Sequence, residues 1–316
     1  MDYRTLGRSG LMVSELCLGS MTFGREADEA TSKELVDRYL GAGGNFIDTA
    51  DIYESGASEE IVGRAIAGRR DGLVLATKVM FAMGQGVNDV GLSRKHVIAA
   101  CDASLARLGT DYIDLYQLHC WDRMTPLLET MSALTDLVRA GKIRYVGVSN
   151  FTGWQIIKAA SLGAAHGFEP LVSLQPQYSM IERNVEREVV PACVDGGLGI
   201  IAWGPLGQGF LTGKYRPDQK PPAGSRIGEA GADLEEHWSK RATERNWKIL
   251  AAVDEIASDT GKSHAQIALR WLLTRPAVVS PIIGARTTEQ LDDNLGAAGW
   301  ELNAGQIAEL DDASRL

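Results

Sequence analysis

The sequence predicts an α/β protein folded as a (β/α)8 TIM barrel, and three observations carry that prediction. Eight short apolar runs recur along the chain, each about as long as an ordinary strand: ELCLG, NFIDT, LVLATK, YIDLYQLH, IRYVGVS, LVSLQ, GIIAW and VVSPIIG. Longer amphipathic stretches separate them, as alternating strand and helix units require. Polar or ionisable residues stand at the ends of three successive runs, on the rim where such a barrel gathers its chemistry.

Taken in order, Asp2 to Glu15 hold two short β-like pieces around Gly7-Arg8-Ser9-Gly10. They read as a hairpin with a glycine-containing turn, placed to plug the bottom of the barrel. Several of the eight runs are almost continuously apolar, the pattern of parallel strands covered on both faces. Helical patterns fill Ser32 to Leu40, Ser58 to Ala67, Ser93 to Leu108, Pro126 to Ala140, Gly153 to Ala165 and Val185 to Asp195. Ser93 suits an N-cap and the glycine after Leu108 a C-terminal stop. Ser58, Glu59 and Glu60 start the second helix with acids set against its dipole, and Gly141 stops the fourth. After the seventh run, between Trp203 and about Arg241, lies a long segment rich in glycine, proline and charge (GKYRPDQKPPAGSRIGEAGAD). A connection of that length in a compact domain is usually functional, and it is expected to fold over a ligand. No break in composition divides the chain, so residues 1–316 are expected to form a single barrel domain; a two-domain Rossmann architecture is the alternative.

Bulk properties exclude some functions. The 316 residues are 45% hydrophobic and 23% charged, ordinary for a soluble globular protein. A net charge of −9 argues against general nucleic-acid binding but allows a local basic pocket for a phosphorylated ligand. Cys17, Cys101, Cys120 and Cys193 are far apart and form no CxxC pair, so reduced thiols in a cytoplasmic protein are expected. The five histidines are scattered and suggest no zinc site. The opening MDYRTLGRSG has no apolar core of a secretory signal, and no uncharged run approaches the ~18 residues that span a bilayer. Asn150-Phe151-Thr152 matches a glycosylation sequon, read as a chance match in a chain without an export signal.

The candidate chemistry starts from Lys78, which closes LVLATK. A lysine inside a barrel is costly unless it is paired. It could form a Schiff base or support a neighbouring acid electrostatically. Asp48, inside NFIDT, keeps such a lysine cationic, which suits support and hurts a Schiff-base nucleophile. An ammonium favours phenolate, so Tyr53 beside it would be a competent general acid near neutral pH. His119, ending YIDLYQLH, can donate to a carbonyl oxygen or relay a proton. Together the four would polarise and protonate a carbonyl. No GxGxxG follows a first strand, and GQGFLTGKY at 207–215 fails the Walker spacing. Barrels do bind phosphate at the loops after strands seven and eight, and Lys214 and Arg226 on one and Arg286 on the other offer cations there.

On LGRSGLMVSELCLGSMTFG, NFIDTADIYESGASEEIVGRAI, LVLATKV, SLARLGTDYIDLYQLH, GKIRYVGVSNF, LQPQYS, WGPLGQGFLTGKY and PIIGARTTEQLDDN, in that order, the chain resembles the aldo-keto reductases nearly end to end. The resemblance is to the branch with WGPL and GARTxEQLxxN motifs, related to potassium-channel β-subunit-like reductases. It implies a barrel binding NADP(H) in an extended pose, with a catalytic tetrad of Asp48, Tyr53, Lys78 and His119. It further implies that Ser149, Asn150 and Gln175 hold the nicotinamide carboxamide, that Trp203 stacks on its ring, and that Gly19, Ser20 and Met21 lie near its ribose, close to Asp48. Gly204, Pro205, Leu206 and Lys214, with Gly209, Leu211 and Arg226 on the same loop, should line the pyrophosphate. Gly284, Arg286, Gln290, Asp293 and Asn294 should surround the adenosine. The branch has a lysine where this chain has Gly284, so recognition of a 2′-phosphate falls to Arg286, whose planar guanidinium suits it.

The expected function is therefore reduction of an aldehyde or ketone to an alcohol by an NADP(H)-dependent oxidoreductase. Its partner would be a small-molecule carbonyl, with neither nucleic acid nor membrane. The alternative is a cofactor-sensing regulatory module like the channel β-subunits, marked by tight tetramers and negligible turnover; a third reading is a Schiff-base lyase acting through Lys78. Expected substrate walls are 79–91, with Phe81 and Met83, then Cys120-Trp121 and the long loop. Such walls suit aliphatic or aromatic carbonyls and sugars.

Overall fold

The computed structural model describes all residues except 218, 223, 226, 227 and 229–237. An antiparallel hairpin, β1 (Tyr3–Thr5) and β2 (Met12–Ser14), precedes eight parallel strands. These are β3 (Cys17–Gly19), β4 (Phe46–Asp48), β5 (Val74–Val79), β6 (Ile113–Leu118), β7 (Ile143–Ser149), β8 (Leu171–Gln175), β9 (Gly199–Ile200) and β10 (Ile282–Ile283). From β3 to β9 each pairs with the next in sequence, and β10 pairs with β3 at Ile282–Cys17. Backbone bonds from Val279 N to Ile200 O (2.9 Å) and from Ile282 N to Ala202 O (2.8 Å) close the cylinder between β9 and β10. The eight apolar runs of the sequence are thus the eight staves.

Helices α1 (Glu29–Gly41), α2 (Ala57–Ala65), α3 (Arg94–Leu108), α4 (Leu127–Arg139), α5 (Gly153–His166) and α6 (Val189–Gly196) follow the first six staves. Ser93 Oγ accepts from His96 N, and Gly109 closes α3 at φ +60°, as its sequence requires. Two details differ from expectation, the starts of α2 and α6, and one adds to it. α2 starts at Ala57, and Ser58 points inward to Ser20 Oγ at 2.9 Å. Glu59 and Glu60 do stand in the first turn of α2, and Glu59 is in addition wholly buried and accepts from Thr77 Oγ1 (2.5 Å) and Arg107 Nε (2.6 Å), so it ties α2 to β5 and α3. α6 begins at Val189, which leaves Pro191 in the first turn, where its missing N–H costs nothing. Four further helices complete the described chain: α7 (Glu244–Thr260), α8 (His264–Leu273), α9 (Thr288–Leu295) and α10 (Ala304–Ala313).

Two apolar layers hold the molecule. One lies between staves and helices; the other fills the cylinder's lower half, where Leu6 and Val13 of the hairpin meet Cys17, Phe46, Val74, Leu115, Val172 and Val279. The hairpin turn docks through Arg8 N to Gly197 O at 2.8 Å. Gly7 there has φ +59°, and a Cβ would stand 2.4 Å from Val172 O, so only glycine fits. With the bottom sealed, polar chemistry has one end of the barrel left to it.

Candidate active site

At the upper end, Asp48 is the last residue of β4 and Lys78 the fifth of β5, both buried. Lys78 Nζ donates to Asp48 Oδ2 at 2.6 Å, to the Thr49 carbonyl at 2.8 Å and to the Tyr53 hydroxyl at 3.2 Å. Burial works against the lysine's charge, but Asp48 and the Tyr53 oxygen outweigh it and raise the ammonium's pKa above its ordinary value. Tyr53 opens a short 3-10 turn, Tyr53–Gly56, after β4; Glu54 and Ser55 in that turn take left-handed φ values of 46° and 54°. Strain of this kind clusters where a side chain must be aimed. The other oxygen of Asp48 accepts from Gln117 Nε2 (3.0 Å) and Gln175 Nε2 (2.9 Å), so the carboxylate is fully ligated.

His119 follows β6 directly, its ring edge-on to Tyr53 at 6.1 Å and to Phe81 at 4.9 Å between centroids. Its pKa falls to about 3, first through burial and then through the Lys78 ammonium, so the imidazole is neutral across the physiological range. Its Nδ1 is buried without a hydrogen-bond partner among the described residues. Beside it the amide groups form a chain. Trp203 Nε1 donates to Asn150 Oδ1 (3.0 Å), Asn150 Nδ2 to the His119 carbonyl (3.1 Å), and Ser149 Oγ to the Gln175 carbonyl (2.8 Å).

A cleft of about 540 Å³ has Tyr53, His119, Arg286 and Gln290 all in its lining. It is lined by Gly19, Ser20, Met21, Asp48, Ser149, Asn150, Gln175, Trp203, Gly204, Pro205, Leu206, Gly209, Lys214, Gly284, Arg286, Gln290, Asp293 and Asn294. The structure therefore brings together nearly every catalytic and cofactor-binding residue singled out in the sequence, whereas Phe81, Met83, Cys120 and Trp121, expected as substrate walls, are not among the residues lining this cleft. Lys78 lies just beneath the floor. Leu211 does not line the cleft: it is wholly buried in the 3-10 turn behind the wall, because that turn aims it at the core. Arg226 lies outside the described residues. Thr22, Gln208, Thr212, Ala265, Ile282 and Ala285 also line the cleft without having been singled out. Gln117 is a further site residue the sequence reading missed; a polar residue within an apolar run is the same signal that marks Asp48.

The cleft's polar groups are graded along its length. Amides and the neutral imidazole stand at one end, and Lys214 and Arg286 at the other. Burial, and next the Arg286 charge, lower the Lys214 pKa, which puts the two cations in one electrostatic neighbourhood. Between the two ends, Gly204, Gly207, Gln208 and Gly209 all have φ between 57° and 86°, a left-handed backbone that lets the main chain approach a ligand closely. An extended ligand with an amide at one end and phosphates toward the other fits this donor set.

One buried acid stands apart. Asp51, two residues before Tyr53, is fully buried, and neither of its carboxylate oxygens has a hydrogen-bond partner among the described residues. Burial, and next the nearby Glu59, push its pKa up to about 7.

Comparison with known proteins identifies the family. Residues 15–315 match the model of the Aldo/keto reductase family. "Uncharacterized oxidoreductase YrpG" of Bacillus subtilis (strain 168) is 40% identical, covering 99% of this chain and 95% of that protein. "Versiconal hemiacetal acetate reductase" of Aspergillus parasiticus is 34% identical over 99% of this chain and 96% of its own. A rice protein, "Probable voltage-gated potassium channel subunit beta" of Oryza sativa subsp. japonica, is 37% identical over 94% and 91%.

Proposed function

The chain belongs to the aldo/keto reductase family and is an oxidoreductase, and from that premise we propose that it reduces an aldehyde or ketone to an alcohol with NADPH, Tyr53 acting as general acid. The observation that carries this reading is Lys78 Nζ held between Asp48 and the Tyr53 hydroxyl at the floor of the cleft. Reduced nicotinamide, when bound in the cleft, would supply hydride to the carbonyl carbon. The chain's own residues do the rest. Tyr53 gives its proton to the carbonyl oxygen as negative charge builds there, and the Lys78 ammonium stabilises the phenolate left behind. Asp48 anchors that ammonium, and Gln117 and Gln175 anchor Asp48. His119, neutral, orients the carbonyl by a hydrogen bond and carries no positive charge of its own.

In this reading Ser149, Asn150 and Gln175 hold the carboxamide, Trp203 faces the ring, Lys214 meets the pyrophosphate and Arg286 the 2′-phosphate. Residues 1–316 act as one barrel domain on a small-molecule carbonyl in the cytoplasm. All four cysteines are free, and no helix among the described residues is long and apolar enough to cross a membrane. The regulatory alternative is not favoured, because the relatives named as oxidoreductase and reductase cover more of this chain than the channel-subunit relative does.

The test is NADPH oxidation, followed at the nicotinamide band, over a panel of aldehydes, ketones and sugars and repeated with NADH. Turnover on at least one carbonyl is expected. Tight cofactor binding with no turnover on any of them would sink the enzyme reading.

A further inference from the structure

An acid that is not itself part of the cleft lining pairs with Arg286, which is. Glu26 lies in the turn after β3, with its side chain only 16% exposed. Its Oε1 stands 3.4 Å from Arg286 Nη2, and its Oε2 3.7 Å from Arg25 Nε. The turn is well fixed. Ala27 N donates to Thr22 O (2.9 Å), Gly24 N to Ala27 O (2.8 Å), and Thr22 Oγ1 to the Ala285 carbonyl next to Arg286 (2.9 Å). Arg286 also donates to the Gly224 carbonyl at 3.1 Å, and its own N–H bonds Gln290 Oε1 at 2.9 Å. Glu26 is thus fixed against the arginine that meets the ribose phosphate in the proposed pose.

A carboxylate and a guanidinium favour opposite forms of an adenosine ribose. A 2′-phosphate is attracted by arginine and repelled by a fixed carboxylate, whereas a free 2′-hydroxyl donates to a carboxylate. We propose that Glu26 is a specificity-determining residue that opposes the 2′-phosphate and lets this site accept NADH as well as NADPH. The inference rests on the proposed pose, with the adenosine at Arg286. To take NADPH, Arg286 exchanges Glu26 for the phosphate, and the displaced carboxylate stays close to the new anion. To take NADH, the Glu26–Arg286 pair stays intact and Glu26 accepts from the 2′-hydroxyl.

The experiment is equilibrium titration of the full chain with NADPH and with NADH, followed by tryptophan fluorescence, for the wild type, Glu26→Gln, Glu26→Ala and Arg286→Ala. Both Glu26 variants should bind NADPH about fivefold more tightly, the size of one partly exposed charge interaction. NADH should bind them no better than it binds the wild type. Arg286→Ala should weaken NADPH by at least about tenfold and NADH little, the loss of a charge-assisted bond. If the NADPH-to-NADH ratio stays within about twofold in both Glu26 variants while Arg286→Ala behaves as expected, the inference fails alone. If the Glu26 variants instead lose NADPH affinity, Glu26 serves to hold Arg286 for the phosphate, and the inference is again overturned. If Arg286→Ala weakens both nucleotides equally, or neither, the pose itself is wrong.

Discussion

The two ends of the barrel are made from the same strands and obey opposite rules. At the lower end Leu6 and Val13 of the hairpin and Phe46 and Val172 of the staves are apolar and buried against one another. Two residues further along β4, Asp48 is equally enclosed yet charged, and β5 runs from Val74 to Lys78 in the same way. The lower end lowers free energy by removing hydrocarbon from water. The upper end spends part of that stability on desolvated ionisable groups that only a dense set of hydrogen bonds makes tolerable. A single strand can serve both because its ends face different neighbours.

Substitutions at the two ends should therefore separate activity from stability. The largest effect is expected for Tyr53→Phe, which removes only the hydroxyl beside Lys78. Steady-state kinetics should show turnover lower by about a thousandfold, while titration shows NADPH affinity nearly unchanged. Activity within tenfold of the wild type would mean that the acid lies elsewhere. At the other end, Leu6→Ala opens a cavity in a wholly buried position and should cost about 3 kcal/mol in denaturant unfolding. Its kcat should stay at the wild-type value; a fall in kcat would break the division of labour between the ends.

A pH-dependent effect is expected at Asp51. With a folded pKa of about 7 against about 4 unfolded, the native chain holds a proton that the unfolded chain has released. Stability from this group thus declines as pH rises from about 4 to about 7 and levels off above that. Asp51→Asn cannot ionise, so its gain over the wild type should be about 4 kcal/mol at pH 8 and near zero at pH 4. Equal unfolding midpoints for the two proteins at both pH values would show that Asp51 is solvated or paired.

The legible parts of this sequence are those where local rules and the fold agree. Charges inside apolar runs point to Asp48 and Lys78, because a buried carboxylate or ammonium has few structural uses. Gln117 carries the same signal in YIDLYQLH, but its link to Asp48 needs the register that sets it opposite Lys78. Glu59 shows how much a correct local signal leaves out: the acids do open α2, but that one of them is claimed by the face packed on β5 and α3 needs the tertiary contacts. Helices α8 and α10 open with Ser263–Gln266 and Asn303–Gln306 capping boxes. Those signals are readable in sequence but lie outside the one-strand, one-helix rhythm that organises the first two-thirds of the chain. The Glu26–Arg286 pair spans 260 positions, and no local pattern connects such residues.

The hairpin that seals the barrel floor also sets an order of events during synthesis. Arg4 donates to the carbonyls of Leu273 and Val278, which emerge from the ribosome 269 and 274 positions later. Its neighbour β3 must wait for β10 before its free edge is covered. A nascent chain therefore carries an unsealed base through almost the whole of translation. Such distant contacts make closure a late and slow step, so this edge is where a chaperone would find the emerging chain most exposed.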